Sequence, residues 1–466
     1  MKRFQVIISI GAMLLTVGCC PRLKSPRVLL PKHYTLQPNS PKAPIEEHWW
    51  LLFQDKQLDH LIELALENNK DLRIAALNIS SAQLRMKTAV AAYLPQVGGN
   101  ITVGGERESG SAKEANFGGN GVLNWEVSLF GALRNEKRYA QAEIETSAWA
   151  YRGVRLSLAA QVAELYFTLL EYEQDLKISE RSYVLRTRSA ALIDSLNRYG
   201  MSDGVALAQA RSLVYASEAA IPKYKHLITE TRHELNVLIG DTISTDKLFR
   251  EAGFPKSLPT EIPAGLPSQI LEHRPDLRKA QWELEAASAS VGLAHAARFP
   301  SLSLTAEGGI AAHSLKKLTA HDPWVWSASG SITAPIFAFR KLKRAEQIAR
   351  QNYSIALIEY EQTVIEAFYD VENALAAIEE TAHQVHSSKR LNHENQQIAS
   401  MTAALYRNGF SNYLEVMDAE REAYASEMSL MNLYAQQYIN YVHLFKALGA
   451  GWKQDKTDHN RPSYSR

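Results

Sequence analysis

Apolar residues recur every third or fourth position over unusually long stretches of this 466-residue chain. Between Leu133 and about Asn197 there is no proline and a single glycine, Gly153, while alanines are frequent, so the pattern predicts one continuous helix. Such a helix would be about 100 Å long, far longer than a globular domain requires. Its apolar positions form two adjacent heptad stripes, one of Val162, Leu165, Leu169, Tyr172 and Leu176 and the other of Ala163, Tyr166 and Leu170. Two stripes predict packing against two neighbouring helices.

The second half of the chain repeats this helical pattern. One stripe consists of Val364, Phe368, Val371, Leu375 and Ile378. The last helix places apolar or aromatic residues at a strict interval of seven, at Met417, Tyr424, Met431, Tyr438 and Phe445. We interpret all these stripes as the core of a helical bundle, and we predict no cofactor.

Four shorter segments alternate with a period of two and are predicted to be strands, at about residues 96–107, 117–130, 300–311 and 326–337. In the third segment, Leu302 and Leu304 share one face and the other face carries Ser301, Ser303 and Thr305. In the fourth, Ile332, Ala334 and Ile336 lie opposite Ser329, Ser331 and Thr333. Segments of about 9 to 13 residues can cross a bilayer as tilted strands. Because strands in lipid must close into a barrel of at least about eight, we expect two or three copies of the chain to assemble.

The two halves also resemble each other in sequence. The stretch "RYGMSDGVALAQARSLVYASE" begins at Arg198, and "RNGFSNYLEVMDAEREAYASE" begins 209 residues later at Arg407. Other matching stretches are offset by about 205 to 207 residues. The sequence therefore predicts two repeats of one structural unit, at 49–250 and 276–452, joined by a linker or equatorial segment at 251–275.

Composition narrows the class of protein. A net charge of +1 and a pI near 7.8 give no electrostatic argument for a nucleic-acid partner. The chain is 46% hydrophobic with a mean hydropathy of -0.24. After the first twenty residues, no stretch holds the roughly 18 uncharged apolar residues of a membrane-spanning helix. If the chain enters a membrane, we expect it to do so as strands.

The N-terminus predicts export and lipid attachment. Lys2 and Arg3 precede an apolar run at residues 4–17, which is the layout of a secretory signal, here residues 1–18. The following "TVGCC" resembles a bacterial lipobox, and Cys19 is the predicted lipidation site because a small glycine precedes it. Thr16 departs from the usual leucine, so an ordinary signal peptide with a chance cysteine is the alternative. No Asp follows Cys19, which favours the outer membrane.

The segments at the two ends of the mature chain have their own composition. Both cysteines of the chain, Cys19 and Cys20, lie at the signal junction, which excludes a disulfide framework or a zinc site in the folded body. Residues 19–48 contain a proline every three to seven positions from Pro21 on and are predicted to form an extended strap. Residues 453–466 form a polar tail.

Five stretches in order carry a family resemblance over nearly the whole chain. They are "NWEVSLFGALRNE", "AGLPSQILEHRPDLRKAQWELEAASASVGLAHAARFPSLSL", "YEQTVIEAFYDVENALAA", "NYLEVMDAER" and "LFKALGAGW". Together they closely resemble the TolC-like outer-membrane channel lipoproteins of tripartite efflux systems, the OprM and NodT type. The resemblance implies a mainly α fold with membrane β-strands, assembled as a homotrimer with a twelve-stranded outer-membrane β-barrel, an equatorial domain and a long periplasmic α-helical barrel.

The resemblance also implies a function and partners. It indicates a passive exit duct, held in outer-membrane lipid, for small molecules such as drugs and toxic compounds. The duct would dock to a periplasmic membrane-fusion adaptor and an inner-membrane pump of the RND type. The alternatives are a type I protein-secretion channel and a coiled-coil lipoprotein that spans the periplasm without a pore.

Candidate functional residues follow from the family motifs. The turns between paired helices form the periplasmic tip, where Arg198, Gly200, Arg407 and Gly409 are the candidate adaptor contacts. Both glycines are alternatively explained by the positive φ of tight turns. Residues matching the family's periplasmic gate are Leu414, Asp418 and Arg421. The alternative for Asp418 and Arg421 is a solvated helix pair worth a few tenths of a kcal/mol.

Two departures from the family pattern concern the gate. Leu405 stands where family members often carry a further arginine, and Ala206 stands where the first repeat often carries an aspartate. We therefore expect the gate to be held by fewer ionic contacts.

Signals for catalysis or metal binding are weak. His383 and His386 lie one helical turn apart, but no further ligand is fixed nearby, so we interpret them as a solvated helix face. The chain has no phosphate-binding loop, nucleophile elbow or dinucleotide fingerprint. We predict no catalytic residue and no metal site.

Overall fold

The structure is a computed structural model that describes residues 48–106, 114–240, 253–255, 274–312 and 323–450, with residues 23, 31, 35 and 258. A short 3-10 helix (Trp49–Phe53) is followed by helices α1 (Lys56–Asn68), α2 (Lys70–Ala91), α3 (Ala132–Arg198), α4 (Gly204–Ile239), α5 (Pro275–Ala296), α6 (Lys341–Arg407) and α7 (Tyr413–Ala447). The strands are β1 (Gln96–Glu106), β2 (Glu114–Val127), β3 (Ser301–Ala312) and β4 (Trp324–Thr333). Cys19, the signal, the tail at 453–466 and most of the strap and linker lie outside the described residues.

Two very long helices dominate the molecule. Helices α3 and α6 each contain 67 residues, which corresponds to about 100 Å. Each turns back into a partner helix, of 36 residues for α4 and 35 for α7. The predicted continuous helix from Leu133 to about Asn197 is confirmed. The described part of the chain is mostly helical.

The heptad stripes form the core of the helical body, as predicted. From α3, Val162, Tyr166 and Leu170 are at most 1% exposed, and Val371 of α6 is fully buried. Aromatic rings fill the space between elements that are distant in sequence. The ring of Trp49 stacks on Phe445 at 5.4 Å and that of Phe167 on Tyr438 at 4.9 Å between centroids. These pairs join the N-terminal 3-10 helix, α3 and α7 into one hydrophobic core.

The strands form one antiparallel sheet in the order β1-β2-β3-β4. Leu302 pairs with Ile332, and Ser303 pairs with Ser331, so the apolar and hydroxylic faces predicted for β3 and β4 are confirmed. The Thr305 hydroxyl donates a hydrogen bond to Asn124 Oδ1 of β2 at 3.1 Å on the polar face. The sheet therefore has one apolar and one polar side.

The fourth strand ends earlier than predicted. It stops at Thr333, four residues before the predicted end at position 337, and Ala334 and Ile336 are not part of it. Pro335 explains the difference, because proline has no backbone N–H to continue a strand ladder. The other strands begin or end within three residues of the predicted bounds. Among the described residues, none of the helices is both long enough and apolar enough to cross a membrane.

The two halves of the chain run through elements of the same kind in the same order. In the first half these are α2, β1, β2, α3 and α4, and in the second α5, β3, β4, α6 and α7. The halves meet where β2 pairs with β3, where α3 packs on α5 and where α3 packs on α7. Helix α2 packs on α3, and α6 packs on α5, so α2 and α6 lie at the two ends of this helical layer.

Candidate functional site at the helix-hairpin ends

Both long hairpins close with the same local geometry. Gly200 and Gly409 have φ of +73° and +80°, in the left-handed region that glycine adopts without strain. In each turn, the amide of the residue after the glycine donates to the carbonyl five residues earlier, at 2.9 Å in the first turn and 3.0 Å in the second. This Schellman arrangement satisfies carbonyls that the end of a helix would leave unpaired. The glycines thus have the turn geometry that the sequence suggested.

The returning helices are also capped alike. Asp203 Oδ1 accepts a hydrogen bond from the Ala206 amide at 2.7 Å, and Asn412 Oδ1 accepts one from the Glu415 amide at 3.0 Å. A cap of this kind contributes about 1 kcal/mol to helix stability. Ala206 contributes its backbone amide to this cap and carries no side-chain charge.

The two turns pack against each other. Ile193, Ala210, Tyr413 and Val416 form a buried apolar cluster of α3, α4 and α7, and Tyr406 of α6 packs against it. The rings of Tyr406 and Tyr413 meet edge to face at 5.6 Å between centroids. Burial raises the pKa of Tyr413 to about 12. The two hairpins therefore end as one packed unit.

The predicted gate residues share the exposed face of α7. Arg421 donates toward Asp418 Oδ1 at 3.3 Å, and their side chains are 60% and 52% exposed in the single chain. The Arg421 guanidinium also lies 3.6 Å from Glu422. Leu414, one turn closer to the tip, is 49% exposed, while Val416 is buried on the opposite face. The ion pair and the apolar side chain thus form a row on a surface that the other described residues leave uncovered.

The arginines at the two tips already have partners within the chain. Arg198 lies 2.6 Å from Asp194 on its own helix, and Arg211 of α4 lies 3.1 Å from the same carboxylate. Arg407 Nε donates to the carbonyl of Ala403 at 3.3 Å. Sequence reasoning did not foresee these contacts. The Arg198 side chain is nevertheless 77% exposed and accessible to a partner.

A groove of about 480 Å³ lies between α3, α6 and α7 behind this face. Arg186 of α3 borders it and is only 6% exposed. Its Nη1 donates to the Ser217 hydroxyl of α4 at 2.8 Å, and its guanidinium lies 5.0 Å above the ring of Tyr424 of α7. Burial lowers the pKa of Arg186, because the apolar surroundings disfavour the charge. One side chain therefore connects both hairpins.

Glu420 enters the same groove from α7, roughly opposite Asp418 around that helix. Burial raises the pKa of Glu420, and nearby Arg186 partly offsets that rise. Sequence reasoning missed both groove residues. The sequence did contain a signal for Arg186. Ser179, Arg186 and Ile193 are spaced seven residues apart and therefore lie in one stripe of α3, so an arginine stands between two buried positions.

The two histidines considered as a metal pair lie on the exposed surface of α6. Among the residues that the structure describes, no group of three or more potential metal-binding side chains comes together. Within that part of the chain, His383 and His386 have no third metal-binding side chain beside them.

These features define a class of protein in which a two-faced sheet continues into long helical hairpins. The model of the outer membrane efflux protein family matches the chain at residues 61–241 and again at 266–450. The chain belongs to this family and is an efflux protein of the outer membrane.

Individual relatives match over nearly their full length. The chain is 30% identical to the toluene efflux pump outer membrane protein TtgC of Pseudomonas putida, covering 90% of this chain and 88% of TtgC. It is 29% identical to the probable outer membrane lipoprotein SilC of Salmonella typhimurium, covering 96% and 98%. It is 31% identical to the cation efflux system protein CusC of Escherichia coli, covering 94% and 96%.

The fold is similar to a solved member of the same class. The open state of the MtrE outer membrane channel of Neisseria gonorrhoeae superimposes with a TM-score of 0.82 at 26% identity. The match covers 94% of this chain and 99% of that one.

Proposed function

We propose that the protein is the passive exit duct of a tripartite efflux system and works as a homotrimer in the outer membrane. It would receive small molecules from an inner-membrane RND pump through a periplasmic membrane-fusion adaptor. One observation carries this proposal: a four-stranded sheet with an apolar face continues directly into helices of 67 residues. Such a chain combines a membrane-facing end with a helical body about 100 Å long.

The proposal of a trimer rests on the edges of the sheet. Within the described residues, β1 and β4 each pair on one side only, and open strand edges are unfavourable in lipid. Three copies would supply twelve strands, enough for a closed barrel, whereas four are too few. We further propose that 49–250 and 276–452 are repeats of one unit, which agrees with the two matches of the family model. Three chains would then present six similar units around one pore.

For the tip we propose that Leu414, Asp418 and Arg421 form the periplasmic gate. Their exposure in the single chain supports a role at the threefold axis, since no element that the structure describes covers them. We propose that Arg198, Gly200, Arg407 and Gly409 lie where the adaptor docks.

We propose no single cargo and no catalytic residue or cofactor. TtgC is named for toluene and CusC for cations, although both are similar to this chain over most of its length. A duct of this kind passes what its pump delivers, so the pump rather than the lining would set the cargo.

Reconstitution tests the proposal. The purified protein should migrate on gels as a trimer that converts to monomer on heating, and it should produce discrete single-channel currents in planar bilayers. A monomer without currents would favour the coiled-coil lipoprotein that has no pore. Cross-linking in cells followed by purification would identify the partners, and a type I secretion transporter instead of an RND pump would change the proposed cargo to protein.

We also propose that Cys19 carries the lipid anchor, which agrees with the name of SilC as a lipoprotein. Cys19→Ser should abolish labelling by radioactive fatty acid and block signal cleavage. Cys20→Ser is the matched control and should label like the parent. Labelling that survives in Cys19→Ser would contradict the assignment.

A further inference from the structure

Four cations lie together where the sheet passes into the second long helix. Arg340 directly precedes α6, and Lys341, Lys343 and Arg344 lie in its first turn. We call these four residues the basic cluster. All four side chains are exposed, and none of them has an ion-pair or side-chain hydrogen-bond partner among the described residues. The positive charges therefore repel one another without compensation in this part of the chain.

The nearest acidic side chain on the helix is already paired with other cations. Glu346 is buried, and its carboxylate lies 2.8 Å from Arg350 and 2.5 Å from Arg298, just after α5. Cations in the first turn of a helix also lie at the positive end of its dipole, which is unfavourable. Folding of α6 therefore does not account for the basic cluster.

The first half of the chain shows that this helix start can be built without the charges. Helix α3 begins at Ala132 and α6 at Lys341, a shift of 209 residues between helices of equal length. By that shift, the basic cluster corresponds to Gly131, Ala132, Arg134 and Asn135, of which one is charged. Asn135 is buried, and its side chain donates to the carbonyl of Gly131 at 3.0 Å. The charges are thus a property of the second half alone.

Aromatic residues indicate where the apolar band of the sheet ends. Trp324, Trp326 and Ile332 are exposed on the apolar face of β4. Trp324 and Ile332 are about 27 Å apart along the strand, close to the apolar band of about 25 Å in membrane barrels. Phe337 and Phe339 follow β4 and are exposed as well. Because aromatic residues typically flank such a band at both membrane interfaces, the segment after β4 is expected at an interface.

The N-terminal strap supports the same position for the membrane surface. Leu23 packs against a buried cluster that includes Tyr353 of α6. Tyr353 lies about 18 Å along α6 from Lys341. Four residues lead from Leu23 back to Cys19, the proposed lipidation site, and an extended chain of that length spans at most about 14 Å. A lipid on Cys19 can therefore enter the membrane close to the basic cluster.

We propose that the basic cluster binds the headgroups of anionic phospholipids in the leaflet that faces the periplasm. This inference rests on the proposed function, which places the sheet in the outer membrane, and it adds a lipid partner. The four cations would lie at headgroup level, just past Phe337 and Phe339. Each Lys or Arg near an anionic membrane surface strengthens binding about fivefold. The lipid phosphates would also relieve the repulsion among the four cations.

Lipid binding to the purified lipoprotein in uncharged detergent tests the proposal. The probes are phosphatidylglycerol and phosphatidylcholine with pyrene-labelled acyl chains, and energy transfer from the tryptophans of the protein reports binding. The parent should prefer phosphatidylglycerol by about tenfold or more. It should lose this preference in about 1 M NaCl, which screens the charges. Lys343→Gln with Arg344→Gln should reduce the preference by about fivefold or more.

Two matched variants serve as controls. Lys389→Gln with Arg390→Gln removes the same two charges from the same helix about 69 Å farther from the sheet, and it should keep the preference of the parent. Lys343→Arg with Arg344→Lys keeps the charges and should keep the preference as well. All four positions are exposed, so each variant should fold, and trimer migration on native gels checks this.

The outcomes separate this inference from the proposed duct. A parent that gives channel currents but binds both lipids equally would overturn the lipid proposal alone, as would a Lys343→Gln, Arg344→Gln variant with the full preference. Displacement of the lipid by millimolar inorganic phosphate would indicate a site for free phosphate and would also overturn the proposal. A parent without currents would overturn the duct, and the comparison of variants would still decide lipid binding because it needs no current.

Discussion

The two hairpin ends share their backbone geometry but differ in the charges beside it. Both turns have a glycine at positive φ and a side-chain cap on the returning helix. The shift of 209 residues between the turns relates Leu414, Asp418 and Arg421 to Val205, Gln209 and Ser212. The exposed row near the start of α7 therefore contains an ion pair, whereas the row near the start of α4 is uncharged.

The shared backbone geometry is required by the fold, whereas the charges found only on α7 concern the proposed gate. A tight turn between long helices requires a particular φ and capped amides, and both halves of the chain meet that requirement. No backbone requirement explains the charges on α7. In a threefold assembly, the charged row on α7 and the uncharged row on α4 would alternate around the tip.

The largest expected effect is on conductance. Three copies of Asp418 around a threefold axis would repel one another unless each is paired with Arg421. The interaction energy of such ion pairs is larger in a narrow constriction than on an open surface. Asp418→Ala with Arg421→Ala should raise single-channel conductance and sensitise cells to large antibiotics. Because Leu405 replaces a further arginine, the rise should be modest in comparison with channels that carry it. Trimer stability should change little, since exposed ion pairs contribute at most about 1 kcal/mol.

The matched control for the gate is Gln209→Ala with Ser212→Ala on the first hairpin, which should conduct like the parent. If the α7 double variant also conducts like the parent, and Leu414→Ala does too, the constriction lies elsewhere. These residues would then be ordinary helix surface.

The second expected effect is a pH dependence of the free energy of unfolding, caused by Asp175 in the first hairpin. Asp175 of α3 is 5% exposed, and burial, with a smaller effect of Glu171, raises its pKa to about 7 against the opposing effects of Lys223 and Tyr224. The native state then binds more protons than the unfolded state between pH about 4 and 7. The unfolding free energy should fall as pH rises through that range, by up to about 1.4 kcal/mol per pH unit.

Asp175→Asn should remove that contribution and stabilise the protein at pH 8 relative to the parent. Chemical denaturation followed by circular dichroism at pH 5 and pH 8 measures the change. The exposed Glu180→Gln variant on the same helix should keep the parent's pH dependence. The second hairpin has Gln384 at the corresponding position, so no matching dependence is expected there. Equal pH slopes for the parent and Asp175→Asn would disprove the assignment.

A smaller loss of stability is expected from substituting Arg186, which contacts both hairpins. Arg186→Met removes the hydrogen bond to Ser217 and the contact with Tyr424, which should cost about 2 kcal/mol. Amide hydrogen exchange should accelerate in both turns, because Arg186 contacts α4 and α7. Arg188 lies exposed on the same helix, and the Arg188→Met variant should show the same amide hydrogen exchange as the parent. Acceleration in one turn only would show that Arg186 does not couple the two.

The smallest effect concerns the turns themselves. A Cβ on Gly200 or Gly409 would meet no atom of the described residues within 4 Å, so the positive φ is what opposes a side chain there. Gly200→Ala and Gly409→Ala should each cost about 1 kcal/mol in thermal unfolding. Gly204 also has open space but no positive φ, and Gly204→Ala should cause no loss. Adaptor copurification that falls for Gly409→Ala alone would instead assign that glycine to docking.

Much of the fold could be predicted because its signals are local. The absence of proline and the heptad stripes predicted one helix of about 65 residues in the first half, and the two-residue alternation predicted the faces of β3 and β4. The end of β4 was misplaced because the alternation continues through Pro335, which cannot donate to the ladder. The family resemblance predicted Asp418 and Arg421 as gate residues, and the structure places these two side chains 3.3 Å apart; their role as a gate stays a prediction.

The sequence by itself determined the helix lengths, the two-faced strands, the glycine turns and the correspondence between the halves, because each depends on residues near one another along the chain. Only the tertiary structure decided that Arg186 lies between Ser217 and Tyr424, since helices far apart in sequence supply these groups. The tertiary structure also decided which of these helices bury their apolar face within the chain. Helix periodicity marks α2, α3, α5 and α6 alike as apolar on one side, and only their order in space leaves apolar side chains of α2 and α6 exposed.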